Sequence, residues 1–146
     1  YLLNKDKINI EEIVKLTNLY EDYGVSELAD NCLAKNLNKT IKIINENNFN
    51  VDDSVLIIRT LLNKTKRILE IKKNQNQNIN IDQIISSYKP PIFWKDKEIV
   101  KSQVSKWKLR DAENLVEKIY NLELSVKKNY QNSKYIISDF ILNTAS

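Results

Sequence analysis

Apolar residues recur along the chain three and four positions apart, and no stretch sustains the alternation of period two that marks a half-buried strand. Asn9-Ile10-Glu11-Glu12 has the form of a capping box: the Asn9 side chain accepts from a free backbone N–H while Glu12 reaches back. It predicts a helix burying Ile13, Thr17 and Tyr20. A break is expected near Tyr23-Gly24, then a second helix carrying Val25, Leu28, Cys32 and Leu33. Asn36 is placed to cap a third helix, with Leu37, Ile41 and Ile44 on one face, ending in the polar stretch Asn45 to Asn50.

From Asn50 the pattern lengthens. Val51, Val55, Ile58, Leu62, Thr65 and Leu69 form one helical stripe, and Ile57, Leu61, Ile68 and Ile71 widen it. A helix apolar over that width is expected to lie between neighbours. The polar, low-complexity run Lys72 to Asn78 reads as a loop. Asn80 with Gln83 repeats the capping-box pattern and opens a short helix with Ile81, Ile84, Ile85 and Tyr88.

Both prolines of the chain and one of its two tryptophans fall in PPIFWKDK, residues 90–97. Pro90 biases Lys89 away from helical backbone angles, and Pro91 does the same to Pro90. The short helix must therefore stop near Tyr88, and proline is tolerated in the first turn of the helix that follows. Pro-Pro is a stiff corner, and Ile92, Phe93 and Trp94 are positioned to pin it. Val100, Val104 and Trp107 then share one face, which Phe93, seven residues before Val100, can join. Ala112, Leu115, Val116, Ile119, Leu122 and Val126 mark a further long helix, with Glu123 and Lys127 as an i, i+4 pair in the favourable order. Gln131 to Ser133 interrupt the pattern, and a last helix is expected to bury Ile136, Ile137, Phe140 and Ile141. The pattern as a whole predicts an all-α fold of two helical bundles. The first is a small three-helix piece over 1–49 and the second a bundle of about five helices over 50–146, with the boundary at Asn47 to Asn50.

Composition removes whole classes of chemistry. The 146 residues contain no histidine, which excludes Ser-His-Asp and Cys-His catalysis and histidine zinc sites. One glycine, Gly24, is too few for a phosphate-binding loop or a dinucleotide fingerprint. Cys32 is the single cysteine, so no intrachain disulfide or thiolate cluster can form, and it reads as a small buried hydrophobe. No cofactor and no metal are expected. The nearest carboxylate pairs, Asp52-Asp53 and Asp96-Glu98, have no histidine or glycine loop beside them, and Asp53 and Asp96 read as first-turn residues favourable to the helix dipole. No catalytic residue is assigned. No apolar run reaches the length of a membrane helix and no signal peptide is visible, so a cytoplasmic location is expected. The chain opens on Tyr1 and lacks methionine, which reads as a piece of a longer protein.

The net charge is +4, carried by 20 lysines and 3 arginines against 19 acidic residues. The lysines are spread along the chain and mixed with Asp and Glu, the pattern of a solvated surface. Lys64, Lys66, Arg67, Lys72 and Lys73 do cluster on and after one helix, which motivates an alternative reading as a basic helical nucleic-acid-binding module. Against it, arginine is scarce and no DNA-reading motif is legible.

PPIFWKDKEIVKSQVSKWKLRDAENLVEKIYNLELSVKKN resembles the C-terminal region of the delta subunit of bacterial DNA polymerase III. In that family a Pro-Pro-aromatic-aromatic-Lys element opens a helix that ends near a tryptophan, and a long leucine-spaced helix follows with a Glu-x-x-x-Lys ending. Pro90 to Lys95, Trp107, the stripe from Leu115 to Leu122, and Glu123 with Lys127 stand in those places. VSELADNCLAKNLNKTIKIINE and VDDSVLIIRTLLNKTKRILEIK are similar to upstream helices of the family, so the resemblance spans nearly the whole chain. Asparagine, isoleucine and lysine replace the arginine- and leucine-rich usage common elsewhere; 20 asparagines and 20 isoleucines accompany the lysines, a bias that AT-rich codons explain.

The resemblance implies a subunit of the clamp loader, which opens the sliding clamp and places it on primed DNA. Residues 1–49 would close the middle helical module. Residues 50–146 would form the collar domain that joins the other subunits, gamma/tau and delta-prime, in a ring. The clamp-opening contact belongs to an upstream module outside this sequence, and DNA contact would be weak or indirect. Such a module is non-catalytic, although its holoenzyme is a DNA-directed DNA polymerase and hence a nucleotidyltransferase. Phe93, Trp94 and Trp107 are the candidate subunit-interface residues, because aromatics favour interface hot spots. The competing expectation is that they close the domain's own core, with Trp94 offset from the face shared by Phe93, Val100 and Trp107.

Overall fold

The computed structural model describes residues 10–75 and 78–146, with side chains for all of these except 14–22. The described residues form helices joined by short connections, with no strand. In chain order the elements are α1 (Ile10–Leu33), α2 (Leu37–Glu46), a 3₁₀ turn (Val51–Asp53), α3 (Ser54–Gln75), α4 (Ile81–Ser87), a second 3₁₀ turn (Trp94–Asp96), α5 (Lys97–Lys106), α6 (Leu109–Lys128), a third 3₁₀ turn (Tyr130–Asn132) and α7 (Ser133–Ala145).

The expected break at Gly24 does not occur, so residues 10–46 hold two helices where three were expected. Gly24 lies inside α1, a position that disfavours the helix by about 1 kcal/mol relative to alanine. A Cβ built there would meet Asn47 Oδ1 at 3.0 Å, and the Asn47 side chain is itself anchored to Ile43 O at 3.0 Å. Glycine here is a packing residue that lets the end of α2 approach α1. The Asn9 cap and the burial of Thr17 and Tyr20 fall outside what is described, and Ile13 is exposed.

α1 ends where the chain satisfies its last carbonyls one by one, as a buried helix end requires. Asp30 O accepts from Ala34 N, Asn31 O from Asn36 N and Cys32 O from Lys35 N. Leu33 O accepts from the indole Nε1 of Trp107 at 2.7 Å. Lys35 takes the left-handed conformation, φ 56°, that reverses the chain. Asn36 then caps α2, its side chain accepting from Lys39 N at 3.2 Å, as its position in the sequence predicts. α2 buries Thr40 and Ile43 and leaves Ile41 exposed, a face turned from the expected one. Thr40 is tolerated inside because its hydroxyl donates to Asn36 O at 2.7 Å.

α3 is the central helix, making its broadest contact with α6 and further contacts with α1, α4, α5 and α7. Its buried line runs through Ser54, Ile57, Ile58, Leu61, Thr65, Ile68 and Ile71, while Val55 is exposed and Leu62 and Leu69 are half-buried. The helix starts at a true capping box: Asn50 N donates to Asp53 Oδ2 at 2.9 Å and Asp53 N donates to Asn50 Oδ1 at 3.2 Å. It extends through Gln75, so Lys72 to Gln75 are helical where a loop was expected; residues 76 and 77 lie outside the described set. Asn80 caps α4 by accepting from Asp82 N. Ser54 Oγ donates to Ser133 Oγ at 2.9 Å in the interior, tying the start of α3 to the start of α7.

α6 buries Ala112, Leu115, Ile119, Leu122 and Val126 at the alternating three-four spacing of a packed helix seam. One hydrophobic core joins α1 and α2 to the rest: Val25, Leu28 and Leu33 belong to the same cluster as Leu61, Val100, Ile119 and Ile141. It crosses the expected boundary at residues 47–50.

Candidate interaction site

The corner between α4 and α5 is built from the outside in. Tyr88 ends α4 in an extended conformation, one residue before Lys89, which Pro90 biases away from helix. The Lys89–Pro90 peptide is cis. Ile92 then inserts into the core at 8% exposure and is the anchor of the corner. Phe93 and Trp94, one step on, point away from the core at 57% and 69% exposure. Their ring centroids lie 5.9 Å apart with the planes tilted 44°, and the Lys95 ammonium sits 5.5 Å from the Trp94 ring. Phe93 does not join the Val100–Trp107 face. It precedes the 3₁₀ turn in an extended conformation, so the sevenfold helical register does not reach it.

Trp107 is a different kind of residue from these two. It is 8% exposed, bonded through its indole to α1, and covered by the Lys35 ammonium at 4.5 Å. The three candidate aromatics are thus divided: Phe93 and Trp94 together on the surface, Trp107 in the chain's own core.

The basic cluster of α3 is also divided. Lys64 Nζ donates to Asp30 Oδ1 at 2.9 Å, and Arg67 Nη2 lies 3.7 Å from the same oxygen. Gln103 of α5 donates from Nε2 to Asp30 O at 2.9 Å and to Asp30 Oδ1 at 3.1 Å. Asp30 is buried, so this cluster joins α1, α3 and α5 internally and presents no basic face there. Lys66 instead lies 5.6 Å from the Tyr120 ring. No spacing rule reveals Asp30 as the shared partner of Lys64 and Gln103, because the three come from separate helices.

The aspartates of the two carboxylate pairs behave unequally. Asp53 caps α3, Asp52 accepts from the Tyr130 hydroxyl at 3.3 Å, and Asp96 makes no side-chain capping bond. Among the described residues no group of three or more His, Cys, Asp or Glu side chains is placed to hold a metal ion. Burial pushes the Cys32 thiol up to about 12, and its Sγ lies 3.5 Å from Ile141 O. Burial, and after it the Glu70 carboxylate, also raises the Tyr88 phenol above its ordinary value. No described helix is long and apolar enough to cross a membrane.

The fold and the exposed pair define an all-helical chain with an aromatic corner on its surface. No protein-family model, curated protein or solved structure matches the chain.

Proposed function

We propose that the chain is a non-catalytic helical assembly module whose exposed aromatic corner meets another macromolecule. The particular reading is the C-terminal part of a clamp-loader delta subunit, with residues 1–49 ending the middle module and 50–146 forming the collar domain. Its partners would be gamma/tau and delta-prime, its work the loading of the sliding clamp onto primed DNA, and its compartment the cytoplasm. On this reading the two modules pack on one another, since α1 contacts α3, α5 and α7. The observation that carries it is the Phe93–Trp94 pair. Two large aromatic rings stand in solvent on a proline-stiffened corner, although Ile92, directly before them in the chain, is taken into the core. A rigid apolar projection of this kind favours an interface, because little side-chain entropy is lost on binding.

The test is size-exclusion chromatography with light scattering, on the chain alone and mixed with the other clamp-loader subunits of its own organism. Co-elution that Trp94→Ala weakens, with the thermal melt unchanged, is the expected result. No co-elution at any salt concentration overturns the reading.

The placement of Lys95 beside Trp94 favours a second reading, in which the corner contacts single-stranded nucleic acid. Bases stack on exposed aromatics regardless of sequence, and nearby lysines neutralise phosphates. Fluorescence anisotropy with a labelled oligonucleotide across a salt series tests it. A binding constant that falls with salt and with Trp94→Ala supports stacking; binding indifferent to Trp94→Ala removes it.

A further inference from the structure

α3 and α6 run antiparallel. Tyr130, just past the end of α6, donates to Asp52, just before the start of α3, and Lys66 meets the Tyr120 ring further along. Their buried residues face the core, and the outer face that the two helices share is apolar along its middle. Leu62 and Val116 are half-buried there, and Val55, Tyr120 and Leu124 are exposed. Leu62 follows Val55 by seven residues, and Tyr120 and Leu124 follow Val116 by four and eight, the spacing of a helical stripe.

The two sides of this face carry opposite charge. Arg59, Lys66 and Lys73 stand seven residues apart on α3, all exposed. Glu113 and Glu117 stand about one turn apart on α6, also exposed. None of these five makes an ion pair among the described residues. Glu123 and Lys127, further along α6, neutralise one another at 3.3 Å. Lys66 is level with Tyr120, so seven residues towards the end of α3 bring Lys73 level with Glu113, and Glu117 falls between the two levels.

Such a face is complementary to itself. A two-fold axis parallel to the helices lays α3 of one copy over α6 of the other and keeps every level. Lys66 and Lys73 of each copy then meet Glu117 and Glu113 of the other, and the apolar stripes cover one another. A two-fold axis across the helices would set the basic row of α3 against itself, which like-charge repulsion disfavours. The face runs roughly 27 Å from Val55 to Lys73 and is about 20 Å wide, two helix diameters. Pairing it removes roughly 1,100 Å² from water in all, at the lower edge of specific interfaces. The basic row alone would suit a polyanion, but Glu113 and Glu117 beside it repel one.

We propose that the α3–α6 face is the contact of a symmetric dimer of this chain, with the two-fold axis parallel to the helices. The dimer is salt-sensitive and modest in affinity, as the area and the exposed ion pairs dictate. The proposal goes beyond the assembly-module reading and does not depend on it.

The experiment is sedimentation velocity of the 146-residue chain alone over a dilution series at low and high salt, with amide hydrogen exchange at both ends of the series. The expected result is a monomer–dimer equilibrium that weakens with salt, with exchange slowed over 55–73 and 113–127 in the dimer. Lys66→Glu and Glu117→Lys each place two like-charge contacts across the two-fold axis, and each should weaken the dimer several-fold with an unchanged melt. Mixed in equal amounts, the two variants should associate again, because each supplies the charge the other lacks. Leu124→Asp, which puts a carboxylate into the stripe, should abolish the dimer, and Trp94→Ala should leave it unchanged. A parent chain monomeric at every concentration overturns the proposal, as does a dimer indifferent to Lys66→Glu and Leu124→Asp. Failure of the mixed variants to associate overturns the two-fold arrangement. Oligonucleotide binding lost in Lys66→Glu, with no dimer formed, assigns the basic row to a polyanion and likewise overturns it.

Discussion

Replacing Trp107 with phenylalanine tests the account of how α1 ends. Leu33 O is the last carbonyl of α1, and the Trp107 indole, at 2.7 Å, is its sole hydrogen-bonding partner among the described residues. Phenylalanine keeps an aromatic ring but has no donor. Leaving a buried acceptor unsatisfied costs about 1–3 kcal/mol. The lost second ring is worth roughly two buried methylenes, about 1.5 kcal/mol. The ring face under Lys35 is largely kept, so the cation–π contact changes little. The sum is about 3 kcal/mol, which for a domain of this size lowers Tm by about 10 °C. Far-UV circular dichroism during heating, together with urea titration, measures it. Trp94→Ala is the control: an exposed side chain should move stability by no more than about 0.5 kcal/mol. Acrylamide should quench tryptophan emission readily in Trp107→Phe, which retains Trp94, and poorly in Trp94→Ala, which retains Trp107. A Trp107→Phe protein as stable as its parent, or a Trp94→Ala protein destabilised by several kcal/mol, would refute the division of the two tryptophans.

Gly24→Ala should bring none of the roughly 1 kcal/mol that helix propensity promises, because its Cβ meets the anchored Asn47 side chain; in an Asn47→Ala background the same change should stabilise by about that amount in urea titration. A full gain in both backgrounds would show that Asn47 yields freely. Asp30→Ala strands Lys64 and Arg67 without their carboxylate and should destabilise by about 3 kcal/mol, whereas a loss under about 1 kcal/mol would mean that solvent already screens the cluster. Cys32 gives a pH prediction. Below pH 9.0, the ordinary value, the thiol is protonated in both states; above it the unfolded chain loses the proton first, so stability falls until the folded thiol also ionises at about 12. Cys32→Ala should flatten that alkaline decline, and the parent thiol should react with a disulfide reagent only as fast as the chain opens.

The helical character of the chain, most of its boundaries and much of its core were legible in the order of residues alone. These are local matters. A three-four spacing defines a face, Asn36 and Asn80 offer a side-chain acceptor to free N–H groups, and Pro90 forbids helix in the residue before it. Val100, Val104, Leu115, Ile119 and Leu122 were placed inside by spacing, and all are buried. Tertiary structure decided what spacing leaves open. Whether α1 runs through Gly24 depends on Asn47, 23 residues away, and which face of α2 is buried depends on α1 and α7 as neighbours. Lys64 and Arg67 looked like surface charge until Asp30 and Gln103 arrived from two other helices. Phe93, Trp94 and Trp107 are alike as residue types, yet only Trp107 finds an acceptor and a place in the core. Phe93 leaves the core because it precedes the turn before α5 in an extended conformation, and Trp94 opens that turn pointing into solvent. Sequence spacing sets which side chains share a direction; only the packed neighbours determine what, if anything, meets them there.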